Sequence, residues 1–172
     1  MENQASSKSI ILNYGLYTGV LSILIAVILY AFGKSANPGL IMAIVSFVAP
    51  SILLVLGIKK FKEANNGFMS WGQGVKVGVG IALVWGLLAL SFQFLLENVI
   101  DPGLIEQKIQ VTKTALENWG MNQDLIDQQI EKQRNQNPLL ASALGLIFFA
   151  IIGFVVSAIA AAIMKQSEEE QY

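Results

Sequence analysis

Four uninterrupted apolar segments constrain this chain more than any other feature of its sequence. They are residues 10–32, 40–58, 77–96 and 139–164, and none of them contains Asp, Glu, Lys or Arg. A helix rises about 1.5 Å per residue, so about 20 mainly apolar residues cross the roughly 30 Å hydrocarbon core of a bilayer. A helix also satisfies its own backbone hydrogen bonds in lipid. The segments therefore predict an all-α fold, an integral membrane four-helix bundle.

The composition excludes several classes of function. The chain has neither cysteine nor histidine, which removes thiolate chemistry, imidazole catalysis and zinc sites of the usual kind. Its net charge of −1 offers no basic surface to a nucleic acid. No P-loop, GxSxG or HExxH motif occurs. We therefore expect a protein that is not an enzyme, has no cofactor or metal, and has the lipid bilayer as its surroundings.

The basic residues near the ends of the spans predict the orientation. Six of them share a side with the two chain termini, and they lie close to the helix ends: Lys8, Lys59, Lys60, Lys62, Lys76 and Lys165. Five are spread over the opposite side: Lys34, Lys108, Lys113, Lys132 and Arg134. Lysine and arginine accumulate in cytoplasmic loops. We expect both termini in the cytoplasm, with an acidic tail at 165–172, and the 97–138 loop in the periplasm.

The loop between the third and fourth spans predicts an amphipathic helical hairpin at 101–138. Asp101 suits an N-cap, Gly120 a helix end and Asn122 a second N-cap, and Asn137-Pro138 suits the start of the fourth span. One apolar stripe follows each predicted helix: Ile105, Ile109, Leu116, Trp119, Ile126 and Ile130. These residues either pack the two helices together or contact a partner, which is an envelope protein or a second copy of the chain.

Small residues recur at helical spacing within the spans. The ladder in the third span is Gly74, Gly78, Ala82 and Gly86, and the first and fourth spans carry Gly15, Gly19, Gly145 and Gly153. Such ladders let helix backbones approach closely. They predict helix packing, either among the four spans of one chain or along the seam of a homo-oligomer.

The lysine cluster after the second span has two interpretations. Lys59, Lys60 and Lys62 precede the aromatic residues Phe68 and Trp71. The cluster is either a topology signal beside an aromatic belt or a contact for anionic lipids.

Three stretches in a fixed order resemble a known membrane family. They are Ile100-Asp101-Pro102-Gly103-Leu104-Ile105-Glu106, Trp119-Gly120-Met121-Asn122 and the fourth span with Gly153. With the glycine-rich third span, they are similar to the bacterial family numbered 4199 among domains of unknown function. The resemblance implies a Bacteroidetes-type membrane protein with spans arranged two plus two around a charged third loop. It implies no catalytic residues.

The sequence thus favours a non-enzymatic structural or accessory protein of the bacterial inner membrane, with the hairpin contacting an envelope partner or itself. The alternative is an oligomeric small channel or carrier for a neutral or apolar solute. It would be built around the small-residue ladders together with Asn13 and Gln93, the strongest polar groups in the spans. A membrane enzyme ranks third, since Asp124 and Asp127, three residues apart in the hairpin, resemble a solvated helix face.

Overall fold

Six α-helices account for most of the computed structural model, which describes residues 7–166. They are α1 (Ser7–Ala31), α2 (Gly39–Ala64), α3 (Trp71–Leu95), α4 (Gly103–Asn118), α5 (Gln123–Arg134) and α6 (Pro138–Met164). Four of them, α1, α2, α3 and α6, are long and apolar enough to cross a membrane. The short helices α4 and α5 form a hairpin between the third and fourth spans. The all-α membrane fold predicted from the sequence is confirmed.

The helices are longer than the apolar segments that predict them. Helix α2 continues through the lysine cluster to Ala64, and α3 begins at Trp71, so the connection between them is residues 65–70. The backbone hydrogen bonds of a helix need no apolar side chains, so polar turns at a helix end stay helical in water. Lys59, Lys60 and Lys62 therefore lie on the last turns of a helix, and not in a loop.

The α2–α3 connection is fixed by local hydrogen bonds. Asn66 and Gly67 both have positive φ, 54° and 84°, which reverses the chain after α2. The Ser70 hydroxyl then accepts from the backbone N–H of Gln73, and the Gln73 side chain accepts from the backbone N–H of Ser70 at 2.8 Å. This reciprocal capping box satisfies two donors at the start of α3.

A π-helical turn joins α3 to the hairpin. It spans Leu96–Ile100 and closes with the backbone N–H of Asp101 donating to the carbonyl of Leu96 at 2.8 Å. The Asp101 carboxylate then accepts from the N–H of Gly103 at 3.1 Å, so α4 begins at Gly103, after Pro102. The sequence predicts the capping role of Asp101 but not the wider turn before it.

Helix α3 is the centre of the bundle. It packs against α1, α2 and α6, whereas the backbones of α1 and α6 do not come close to each other within residues 7–166. The hydrophobic core lies toward the end of the bundle where α1 begins and α6 ends, and it includes Ile10, Leu54, Ile58, Val77 and Ile81.

A backbone clamp closes that end of the bundle. Met69 and Gln166 form two backbone hydrogen bonds of 3.0 Å, one in each direction. The Trp71 indole N–H donates to the carbonyl of Ala158 at 3.1 Å. The α2–α3 connection is therefore tied to the last turns of α6. Of the predicted acidic tail, residues 167–172 lie outside the described residues.

Candidate functional site

The hairpin uses the centre of its apolar stripes for its own packing. Ile109 of α4 and Ile126 of α5 are 1% and 0% exposed, and Leu116 and Ile130 are half-buried. The turn between the helices has Gly120 at φ 72°, and the Asn122 carboxamide accepts from the N–H of Asp124 at 2.8 Å. Two buried isoleucines and a capped turn thus hold α4 against α5.

A charged network adds a second tie between the hairpin helices. Arg134 donates from Nη2 to both carboxylate oxygens of Glu106 at 2.9 Å, and the Gln110 amide donates to the same carboxylate at 3.1 Å. The Gln110 hydrogen bond, followed by Arg134, holds the pKa of Glu106 below its usual range. A lowered pKa means that the tie is complete above the ordinary carboxyl pKa and weakens as the pH falls. Since the residues are exposed, the effect is small.

Replacing Ile126 is expected to loosen the hairpin without disturbing the spans. Ile126→Ala removes a fully buried side chain, and such changes cost about 2–5 kcal/mol. Amide hydrogen exchange of the full protein should become faster in α4 and α5 and remain unchanged in α3. The neighbouring Leu125 is 52% exposed, so Leu125→Ala is the matched control and should leave exchange nearly unaltered. Equal effects of the two variants would contradict this packing.

The tip of the hairpin is apolar and exposed. Trp119 is 79% exposed, and Met121 and Leu125 beside it are also exposed, as is Ile105 near the base. Trp119 lies roughly 24 Å along α4 from Gly103, at about 1.5 Å per residue. Of the predicted contact residues, Ile105 and Trp119 are therefore accessible, whereas Ile109 and Ile126 are enclosed.

The predicted small-residue ladders lie between helices of one chain. A methyl group added at any of these glycines would meet a side chain of a neighbouring helix. The facing residues are Val84 for Gly15, Leu88 for Gly19, Ala161 for Gly74, Ser157 for Gly78, Phe149 for Gly86, Leu90 for Gly145 and Ala82 for Gly153. Ala82 of the ladder is itself fully buried. The close approach of α1 and α6 to α3 occupies these faces.

A cavity of about 300 Å³ lies among the four spans, in the half that faces the hairpin. Its walls come from all four long helices and include Ile23, Ala26, Ala43, Trp85, Ala89 and Phe149. The rings of Trp85 and Phe149 meet edge to face, with centroids 4.9 Å apart. The walls are thus mainly apolar and aromatic, as in most small-molecule sites.

Charged and polar side chains form the rim of this cavity at the base of the hairpin. The Gln93 amide donates to Glu97 Oε1 at 2.8 Å, and Lys108 of α4 forms an ion pair with the same oxygen. Glu97 and Lys108 are 19% and 31% exposed, and Leu104 beside them is buried. The ion pair makes the rim electrically neutral and ties the start of α4 to the π-helical turn.

Two donors of the cavity lining have no hydrogen-bond partner within the described part of the chain. They are the indole Nε1 of Trp85, a residue 4% exposed, and the hydroxyl of Ser35 in the α1–α2 connection. A buried donor without a partner costs about 1–3 kcal/mol. The sequence prediction did not include Trp85. The feature that could have indicated it is its position in the middle of a span, away from the membrane interfaces where tryptophan is enriched.

The remaining predicted residues lie away from the cavity. Lys59 and Lys60 are exposed, Lys62 is half-buried, and Lys60 pairs with Glu63 at 3.4 Å. Asn13 donates to the Ser9 hydroxyl at 3.5 Å in the opposite half of the bundle from Gln93. Lipid contact by the lysines stays a prediction.

A known family model matches most of the chain. The family model described as "Protein of unknown function (DUF4199)" matches residues 13–166. The chain belongs to the DUF4199 family. The resemblance drawn from the sequence motifs is therefore confirmed, and its Bacteroidetes-type origin stays a prediction. The matched range of this DUF4199 protein contains nearly all of the four spans and the whole hairpin. No curated protein and no solved structure matches the chain.

Proposed function

We propose that this multi-pass DUF4199 protein is a non-enzymatic accessory protein of the bacterial inner membrane whose hairpin tip binds another envelope protein. The observation that carries the proposal is the 79% exposure of Trp119 at the end of a hairpin that is already packed. Tryptophan is enriched among the residues that dominate binding energy at interfaces. The hairpin itself does not use this side chain.

The surroundings of the tip indicate the chemistry of the partner. Glu117, Asp124 and Asp127 are exposed close to Trp119 in the sequence of the hairpin. An apolar pocket with a basic rim would complement this surface, because opposite potentials steer partners together. Within residues 7–166, α5 packs against α4 and against none of the spans. No span of the same chain therefore covers this side of the hairpin, which leaves it open to a protein partner.

Cysteine labelling is expected to place the hairpin outside the cytoplasm. The chain has no native cysteine, so Gln107→Cys on α4 and Glu63→Cys at the end of α2 each provide one exposed thiol. In intact cells whose outer membrane is made permeable, an impermeant maleimide should label position 107 and not position 63. Lysed cells provide the control, in which both positions should react. Labelling of position 63 alone would reverse the orientation and contradict a periplasmic partner.

Photo-crosslinking in cells tests the partner itself. A photo-reactive phenylalanine analogue in place of Trp119 should give one discrete adduct with another envelope protein. The same analogue at Gln128, which is exposed on α5, is the matched control and should give none. The adduct should disappear when exposed Leu125 is replaced by Glu, since a charge at the tip opposes apolar contact.

Two outcomes of this experiment would overturn the proposal. An adduct with lipid alone would mean that the tip lies on the membrane surface. An adduct of twice the 18.7 kDa chain mass would assign the tip to a second copy of this protein and not to a different partner.

The alternative of an oligomeric channel has less support. The small-residue faces are occupied within one chain, so an oligomer would need other surfaces. Asn13 and Gln93 lie in opposite halves of the bundle and share no site.

A further inference from the structure

We propose that the cavity among the four spans binds a small, neutral, mainly apolar molecule that carries a hydrogen-bond acceptor oxygen, with Trp85 Nε1 as its donor. The cavity and its lining carry this inference, which is independent of the hairpin tip. A bilayer-soluble ketone or ester of bicyclic size represents the chemical class.

The volume of the cavity sets the size of the ligand. A dry cavity of about 150 Å³ lined by apolar side chains binds benzene. The cavity here offers about 300 Å³, twice that space, and is partly open, so its volume admits two fused six-membered rings. A whole diacyl lipid is far larger than this volume, and only part of an acyl chain would fit.

The polar groups of the lining set the ligand's charge and its functional group. Lys108 is neutralised by Glu97, which also accepts from Gln93, so the rim offers no free charge to an ion. An ionised ligand would lose its hydration without gaining a counter-charge. Within residues 7–166, Trp85 Nε1 and the Ser35 hydroxyl are buried donors that lack acceptors. A ligand oxygen would supply the missing acceptor, which favours a carbonyl compound over a hydrocarbon.

The three tryptophans of the chain make this proposal directly measurable. In nanodiscs, each indole N–H of Trp71, Trp85 and Trp119 gives its own resonance in a nitrogen–proton correlation spectrum. Trp71 already donates to Ala158 and Trp119 is exposed, so both are internal references. Titration with α-tetralone should move the Trp85 proton downfield in a saturable way. Tetralin, which has the same rings without the carbonyl, should not cause the downfield movement.

Equilibrium dialysis against empty nanodiscs then measures affinity. We expect α-tetralone to bind about fivefold more tightly than tetralin, which corresponds to one net hydrogen bond. Trp85→Phe keeps an aromatic wall and removes the donor, so it should abolish this preference. Ala89→Leu adds three carbons to the cavity wall and should reduce binding of both probes at least tenfold. Ala162→Leu, the same change at an exposed position of α6, should leave both affinities unchanged.

Three results would overturn the inference. The first is the absence of a saturable Trp85 response. The second is equal loss of binding in the Ala89→Leu and Ala162→Leu variants. The third concerns the lipid: if the Trp85 resonance without probe differs between ester-linked and ether-linked lipids, a lipid carbonyl occupies the cavity in place of a separate solute.

Discussion

Gly153→Leu is expected to prevent stable packing of the four spans. Gly153 lies at a close approach of α6 to α3, where a side chain would overlap the methyl group of Ala82 and face the backbone of Val79. Both facing groups are part of a buried helix, so neither can move aside as a flexible side chain would. Overpacking of this kind lowers the free energy of unfolding by about 1–3 kcal/mol and occasionally more. A leucine side chain is much larger than the space at this position. We expect a loss of 3 kcal/mol or more at this site.

The free energy of unfolding in detergent micelles, followed by steric trapping or by denaturant, measures this loss. Gly72→Leu is the matched control, because a side chain at Gly72 would meet nothing within 4 Å in the described part of the chain and the residue lies in the first turn of α3, the helix that faces Gly153. The free energy of unfolding of Gly153→Ala should lie between those of Gly153→Leu and Gly72→Leu. If Gly153→Leu and Gly72→Leu unfold at the same free energy, α3 and α6 do not pack along this face.

Lys108→Glu is expected to detach the base of the hairpin from the bundle. The substitution places a second carboxylate against Glu97, which is only 19% exposed and also accepts from Gln93. Exposed pairs are worth up to about 1 kcal/mol and breaking buried ones costs about 3–5 kcal/mol. For this half-buried pair we expect about 2 kcal/mol, between those limits. Amide exchange from Leu104 to Ile109 should then become about 30-fold faster.

A charge swap distinguishes loss of the ion pair from loss of the lysine side chain. The double variant Glu97→Lys with Lys108→Glu should recover most of the protection against exchange. Lys113→Glu controls for net charge, because Lys113 lies on the same helix and forms no ion pair within residues 7–166. Should the swap fail to recover protection while Lys113→Glu is harmless, packing of Leu104 alone would hold the hairpin base.

The sequence was sufficient for features that depend on neighbouring residues. The spans follow from apolar length, and the hairpin turn follows from Gly120 and Asn122, whose conformation and capping bond are local. The start of α6 also follows, because Asn137 accepts from the N–H of Leu139 and Pro138 is the first helical residue. In each case the physical cause lies within four residues of the feature.

Features that depend on distant residues could not be predicted. Glu97 and Lys108 are 11 positions apart and meet only because a π-helical turn redirects the chain after α3. Trp71 and Ala158 are 87 positions apart. The glycine ladders predicted that helices approach closely. Which side chain faces each glycine, however, depends on how the helices are arranged. The cavity is a property of that arrangement, since all four spans contribute to its walls.

The clamp between Met69 and Gln166 has a consequence for biosynthesis. The α2–α3 connection emerges from the ribosome almost one hundred residues before the strand-like partner that completes it. Until α6 enters the membrane, the glycine face of α3 is uncovered and the backbone groups of Met69 lack their acceptor and donor. A nascent chain that stops before residue 138 lacks α6, and with it the side chains that face Gly74, Gly78 and Gly86 of α3.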